Sequence, residues 1–216
     1  MEGTKTEIKG YQVDACFSAG TCQNAIASGD IRHKIEELLK KEDLLGFLRN
    51  RAKGQIRFHH EFKIAVSDCP NACSQPQIRD LGIIAAKTPQ LTDIECIRCM
   101  ECVRTCKENA IVLHESDACP IIDDTLCVAC GQCIAACHTG TLAVGKEGYR
   151  ILLGGKLGRH PRLAKELPGI YSEAKTLAIV ARCVAYYKAE SHNGERFADL
   201  MARDDALIKE LTLQII

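Results

Sequence analysis

Two cysteine quartets, Cys96, Cys99, Cys102, Cys106 and Cys127, Cys130, Cys133, Cys137, repeat the spacing C-x2-C-x2-C-x3-C. No other feature constrains the chain as tightly. The two short steps let a single loop wrap three corners of a cube, and the longer step carries the chain away. This is the bacterial pattern for two 4Fe-4S clusters, in which the fourth cysteine of each run crosses to the other cluster. The spacing therefore predicts one cluster on Cys96, Cys99, Cys102 and Cys137, and a second on Cys127, Cys130, Cys133 and Cys106. A pair of structural zinc sites would also be served by four thiolates per ion. Two complete quartets in repeated order favour iron and sulfur. Lys107 and His138 follow the last cysteines where Pro is usual, which bears on loop stiffness rather than on ligand count.

The quartets lie in an internal repeat, IECIRCMECVRTCKENAIVL against DTLCVACGQCIAACHTGTLAV. Residues 91–146 read as an inserted ferredoxin-like module, too small to bury much core and held together by its clusters. Around it, residues 30–47 place Ile31, Ile35, Leu38, Leu39 and Leu45 on one face of an amphipathic helix that Ser28 or Asp30 can cap. Residues 62–68 alternate as a strand that delivers Cys69, after which Pro70 and Asn71 turn the chain and Pro76 opposes a helix. Residues 151–153 read as a strand, and two helical patterns, 173–188 and 195–214, close the chain. Each supplies one apolar face, so both are expected to resume the first domain.

At 216 residues and 46% hydrophobic content the chain can build an ordinary core. The N-terminal stretch is polar, and no run of about 18 apolar residues follows. A soluble, cytoplasmic protein is expected, one in which cysteines serve as metal ligands rather than disulfides. Oxygen-sensitive clusters point to an anaerobic or microaerobic owner. Lys plus Arg equals Asp plus Glu at 28 each, so no global field argues for nucleic acid or membrane, and any anion site must be local.

Four further cysteines flank the module: Cys16 and Cys22 as C-x5-C, and Cys69 and Cys73 as C-x3-C. Taken alone they are compatible with unrelated buried thiols. Cys69, however, sits at a strand end in DCPNACSQP, where Pro and Asn expose a loop. The order C-x5-C, then Cys69-Pro70-Asn71-Ala72-Cys73, then Gly154-Gly155-Lys156 through Arg162 resembles the siroheme-containing sulfite and nitrite reductases. With the ferredoxin-like insert, the resemblance extends to dissimilatory sulfite reductase subunits and their small stand-alone relatives in anaerobes. It spans nearly the whole chain.

The resemblance implies an α+β fold, a siroheme/4Fe-4S reductase half-domain in two segments, 1–90 and 147–216, around the module at 91–146. It implies a third 4Fe-4S cluster on Cys16, Cys22, Cys69 and Cys73, with Cys73 also the axial ligand of siroheme. A shared thiolate couples cluster and haem and pushes electron density toward a bound oxyanion. Lys156, Arg159, His160 and Arg162 would pair with siroheme carboxylates, and Gly154 and Gly155 would admit the cofactor closely; without the cysteines the same stretch reads as a solvated basic loop. Gln23 stands where relatives commonly have Pro. The resemblance covers one of two related halves, so a second copy or another subunit is expected to complete the cavity. Arg57, His59, His60 and Lys63 are candidates to bind sulfite or nitrite or to donate protons, with a charged strand edge as the alternative. Cys183 falls in helical apolar periodicity and is expected in the core; Cys119 lies in a linker. The implied function is siroheme-dependent reduction of a small oxyanion, with an electron-donor protein as partner. A haem-free electron-transfer protein and a tetrapyrrole-binding protein without turnover are the alternatives.

Overall fold

The structure is a computed structural model and describes residues 7–16, 22, 26, 30–51 and 54–213. In chain order the elements are β1 (Tyr11–Ala15), α1 (Ile31–Lys40), α2 (Leu44–Arg51), β2 (Phe62–Ser67), β3 (Leu81–Leu91), α3 (Glu101–Thr105) and β4 (Ile111–Val112). There follow β5 (Ile121–Ile122), α4 (Gln132–Ala135), β6 (Leu142–Leu153), β7 (Lys165–Glu166), α5 (Glu173–Glu190), α6 (Phe197–Arg203) and α7 (Ala206–Leu213). The mixed α and β architecture agrees with the expectation at that level.

One sheet of order β1-β2-β3-β6-β7 organises the chain. β1, β2 and β3 run parallel, while β6 returns antiparallel along β3 and pairs with β7. The strand expected at residues 62–68 is β2, and its alternation puts Phe62, Ile64 and Val66 into a core shared with Ile31 and Ile35 of α1 and Val180 of α5. Both closing helical patterns contribute to this core through Val184, Phe197 and Leu207. Strands β1 and β3 were not expected from the local pattern, and the strand expected at 151–153 is only the end of the twelve-residue β6.

Two helices predicted as continuous are each broken at an aspartate. Residues 30–47 form α1 and α2, separated at Asp43, whose φ is 42° and whose carboxylate accepts from the Gly46 N–H at 3.1 Å. Asp30 stands at the N-cap of α1 without a side-chain cap bond, and Ser28 lies outside the described residues. Residues 195–214 form α6 and α7, where the Asp204 carboxylate accepts from the Ala206 N–H at 2.8 Å. In both cases a short side-chain acceptor competes with the helix and restarts it. Pro76, expected to oppose a helix, opens a single 3-10 turn, Pro76–Ile78, at the position where its missing N–H costs nothing.

The opposite face of the sheet carries the crossover between β2 and β3. This stretch folds back over the strands, with Ala72 packed on Ile84 of β3 and Leu152 of β6. Between β3 and β6 the chain departs into α3, β4, β5 and α4, which gather around their own small core of Cys102, Ile111, Cys133 and Leu142.

Candidate functional site

Strands β1 and β2 are parallel neighbours in register from Tyr11 and Phe62 to Ala15 and Val66, so both release their next residues at one edge. Cys16 and Cys69 therefore meet although 52 residues separate Cys16 from Asp68, whose N–H donates to the Cys16 Sγ at 3.4 Å. Burial raises the Cys69 thiol above its ordinary range, the Asn71 N–H opposes this, and Cys16, Cys22 and Cys73 raise it further. The other three outer thiols thus all lie within electrostatic reach of Cys69. Cys69 is buried and Cys73 exposed. Asn71 Nδ2 donates to the Cys73 Sγ at 3.0 Å, and Ala72 takes a φ of 56° to make the turn. The loop is pinned from behind by Ser74, whose Oγ donates to the Val66 carbonyl at 2.8 Å and lies 2.6 Å from the Ser67 hydroxyl.

The inner cysteines group across the two runs. Cys96, Cys99, Cys102 and Cys137 line one pocket, and Cys106, Cys127, Cys130 and Cys133 line another. Burial raises the Cys102 thiol, with Cys137 and Cys96 adding to it. Burial pushes Cys133 up to about 12, reinforced by Cys130, Cys127 and Cys106. Thiols held so far above neutrality cost free energy to ionise, a cost that a bound cationic centre offsets. Burial also raises Cys137, but the Leu142 N–H at 3.3 Å and the Thr139 hydroxyl outweigh it and hold this thiol below its usual range. Backbone N–H groups of Arg98 and Ala110 likewise point at Cys96 and Cys106, at 3.4 and 3.3 Å. Among the described residues no three His, Cys, Asp or Glu side chains converge as ligands of a single ion. The quartets surround cavities, which suits a cluster in which each thiolate binds a different iron.

The second inner cavity, of about 280 Å³, is also lined by Cys69, Pro70 and Asn71 of the outer loop. Backbone pairing fixes this contact between segments: the Lys87 N–H of β3 donates to the Ala129 carbonyl at 2.7 Å. The Gly131 position, at φ 70°, lies against the Lys87 side chain.

Residues 154–163 form a tight hairpin in which Lys156 and Arg162 exchange two backbone hydrogen bonds of 2.9 Å. A Cβ on Gly154 would meet Met201, and one on Gly155 would lie 2.4 Å from the Gln77 carbonyl oxygen. The chain's own packing requires both glycines. The Lys156 ammonium binds Asp199, and Arg162 donates to the Gly154 carbonyl at 3.0 and 3.2 Å. Arg159 and His160 at the tip are exposed.

Arg57, His59, His60 and Lys63 gather at the other end of β2 from Cys69. Lys63 is six positions before Cys69 along extended chain, roughly 20 Å. Because β6 is antiparallel, Leu153 pairs with Leu81 and Leu81 with Ile64, so the glycine hairpin shares this cationic end. Lys63 is on β2, an interior strand of the sheet, while Arg57, His59 and His60 precede it. Its ammonium lies 5.4 Å from the Phe58 ring and is depressed by burial, then by Arg196 and Arg79. Burial also depresses His59, followed by His60, Arg57, Arg196 and Lys63. Arg79 and Arg196 were not among the expected site residues because they lie far from residues 57–63 in the chain. Nor was Asp80, a buried carboxylate that accepts the Lys63 and Ala198 N–H groups at 2.9 and 3.3 Å.

Cys183 is fully buried in the core, as expected, and burial raises its thiol. Cys119 is half-buried. Among the described residues no helix is long and apolar enough to cross a membrane.

This arrangement has counterparts among known proteins. The coenzyme F420-dependent sulfite reductase of Methanocaldococcus jannaschii is 33% identical over 192 residues, 88% of this chain and 28% of that protein. One component polypeptide of the anaerobic sulfite reductase of Salmonella typhimurium is 28% identical over 114 residues, 51% of this chain and 29% of that polypeptide. The chain therefore spans less than a third of these relatives' lengths. The crystal structure of dissimilatory sulfite reductase I superposes with a TM-score of 0.58 at 17% identity, covering 93% of this chain and 51% of that one, and shows the same fold. The profile of the nitrite and sulphite reductase 4Fe-4S domain matches residues 12–205, and the chain belongs to that family.

Proposed function

We propose that this protein is the cluster-bearing half of a siroheme-dependent oxidoreductase that reduces sulfite or a related small oxyanion such as nitrite. Three 4Fe-4S clusters are assigned, on Cys96, Cys99, Cys102 and Cys137; on Cys106, Cys127, Cys130 and Cys133; and on Cys16, Cys22, Cys69 and Cys73. Residues 91–146 act as the inserted ferredoxin-like module between reductase segments 1–90 and 147–216. The observation that carries the reading is the cavity walled jointly by the second inner quartet and by Cys69, Pro70 and Asn71. It supports a relay that runs from the first quartet through the second to the outer four thiols.

Cys73 would hold siroheme, which would supply a redox-active iron for one-electron chemistry on an oxyanion. The exposed Cys73 thiol, steadied by Asn71, presents a ligand to a group on the crossover face of the sheet. Arg159 and His160 are free to pair with cofactor carboxylates, while Lys156 and Arg162 brace the hairpin that carries them. At the cationic end, Arg57, His59, His60 and Lys63 attract an anion, and the depressed His59 and Lys63 release protons more readily than exposed counterparts. Among the described residues, Cys73 and these groups stand roughly a strand's length apart and enclose no common pocket by themselves. Reduction of an oxyanion requires donors converging from both sides with water restricted, so the pocket is completed by a second copy or by another subunit.

Anaerobic purification followed by iron, acid-labile sulfide and siroheme analysis, with sulfite turnover on reduced viologen, tests the assignment. Thirteen irons, twelve of them in clusters and one in siroheme, with Soret and long-wavelength bands and turnover support it. Clusters without haem bands would make the protein an electron carrier, and haem bands without turnover would make it a tetrapyrrole holder.

A further inference from the structure

The chain is neutral overall, yet residues 91–126 hold eight Asp or Glu against three Lys or Arg. The imbalance concentrates around the first inner quartet. Asp93 and Glu95 are exposed beside Cys96. Glu115 and Asp117 are brought to the same place because Arg98 donates to the carbonyls of His114 and Asp117. The two local guanidiniums are already engaged, since Arg104 binds the Cys99 carbonyl at 2.6 Å and the Glu101 carboxylate.

Inside this acidic ring lies an apolar centre. Ile97 is 65% and Ile94 52% exposed, and both flank Cys96. Cys99 is exposed as well, in contrast to Cys102 and Cys133. Large aliphatic side chains left in water beside a thiol of the outermost quartet, and ringed by carboxylates, have the composition of a docking patch: apolar core, charged rim. The second quartet differs, because its cavity is closed on one side by residues 69–71.

We propose that Ile94 and Ile97, with the carboxylates of Asp93, Glu95 and Glu115, form the docking surface for an electron-donor protein that presents a lysine- or arginine-rich face around its own redox centre. This rests on the cluster assignment above. Opposite charge steers the encounter and raises the association rate, while the isoleucines exclude water between the two centres. The donor passes one electron at a time to the cluster on Cys96, Cys99, Cys102 and Cys137, and the current moves inward.

A mitochondrial-type cytochrome c, whose haem edge is ringed by lysines, serves as the probe, with an acidic flavodoxin as its opposite. In the assay the reduced holoprotein gives one electron to the ferric haem, and binding to ferric cytochrome c is measured separately by calorimetry. The expected rate falls about tenfold or more between roughly 20 and 200 mM salt. Asp93→Asn with Glu95→Gln should weaken binding and slow the reaction severalfold at low salt and little at high salt. Ile97→Ser should weaken binding at both, and Glu37→Gln on α1 should change neither. Faster reaction with flavodoxin, or binding indifferent to the Asp93, Glu95 and Ile97 changes in protein that carries its full iron, overturns the docking surface and leaves the cluster assignment standing. Protein that binds cytochrome c but holds no iron or sulfide at the quartets overturns the assignment, and the electron-transfer role with it.

Discussion

Asp80 ties the cationic end of the sheet together, and removing its carboxylate should be among the most damaging single changes in the chain. One oxygen accepts the Lys63 N–H at 2.9 Å and the other the Ala198 N–H at 3.3 Å, with the Arg196 guanidinium 3.7 Å away. Its own carbonyl receives the Gly154 N–H at 2.8 Å, so β2, α6 and the glycine hairpin all depend on its position. Asp80→Ala leaves one buried and one partly buried N–H group unpaired, at about 1–3 kcal/mol for the buried one and less for the other, and an arginine without its counter-charge. Breaking one side of a buried ion pair typically costs about 3–5 kcal/mol, and we expect a loss in that range by anaerobic urea unfolding followed by circular dichroism. Asp80→Asn keeps one acceptor and should cost less. Burial outweighs Arg196 and the two N–H donors and lifts the Asp80 carboxyl above its usual range. A raised folded value means that this group's stabilisation is complete below about pH 3.9 and is lost as pH rises through the folded value. Since Asn cannot titrate, the deficit of Asp80→Asn should shrink as pH increases above about 4. A cost under about 1 kcal/mol for Asp80→Ala, or a pH-independent deficit for Asp80→Asn, would refute this account of the carboxylate.

Cys73→Ser should abolish electronic coupling between cluster and siroheme in electron paramagnetic resonance or Mössbauer spectra, whereas Cys183→Ala should leave the spectra intact and cost about 1–2 kcal/mol of stability; equal spectral tolerance of the two would sink the axial assignment. Cys99→Ser or Cys130→Ser should slow electron delivery while the haem bands persist, and loss of those bands in a folded variant would count against a modular relay. Stripping the clusters with a chelator and oxidant should open the 91–146 segment to protease before the main sheet, because its core is four residues of which two are cysteines. Holoprotein should sediment as an oligomer or require a second subunit, and a monomer turning over sulfite would place the whole substrate site on Arg57, His59, His60 and Lys63.

The cysteine spacing alone determined how the inner thiols group. Steps of two and three residues leave a loop little freedom, so Cys137 joining the first quartet and Cys106 the second was legible without coordinates, and the pockets carry that grouping. The amphipathic pattern of α1, the alternation of β2 and the burial of Cys183 were legible too, because periodicity is a local property. Tertiary structure decided what depends on distant partners. Cys16 meets Cys69 because two strands run parallel, a pairing that closes a loop of some 50 residues and that no spacing encodes. Asp43 and Asp204 each interrupt a helical pattern by accepting from the N–H two or three residues on. Lys156 and Arg162, expected as cofactor ligands, are taken up by Asp199 and the Gly154 carbonyl. The crossing direction of β6 places the glycine hairpin at the cationic end, roughly a strand's length from Cys69, because sheet order is set by which apolar faces can share one core rather than by any motif in the chain.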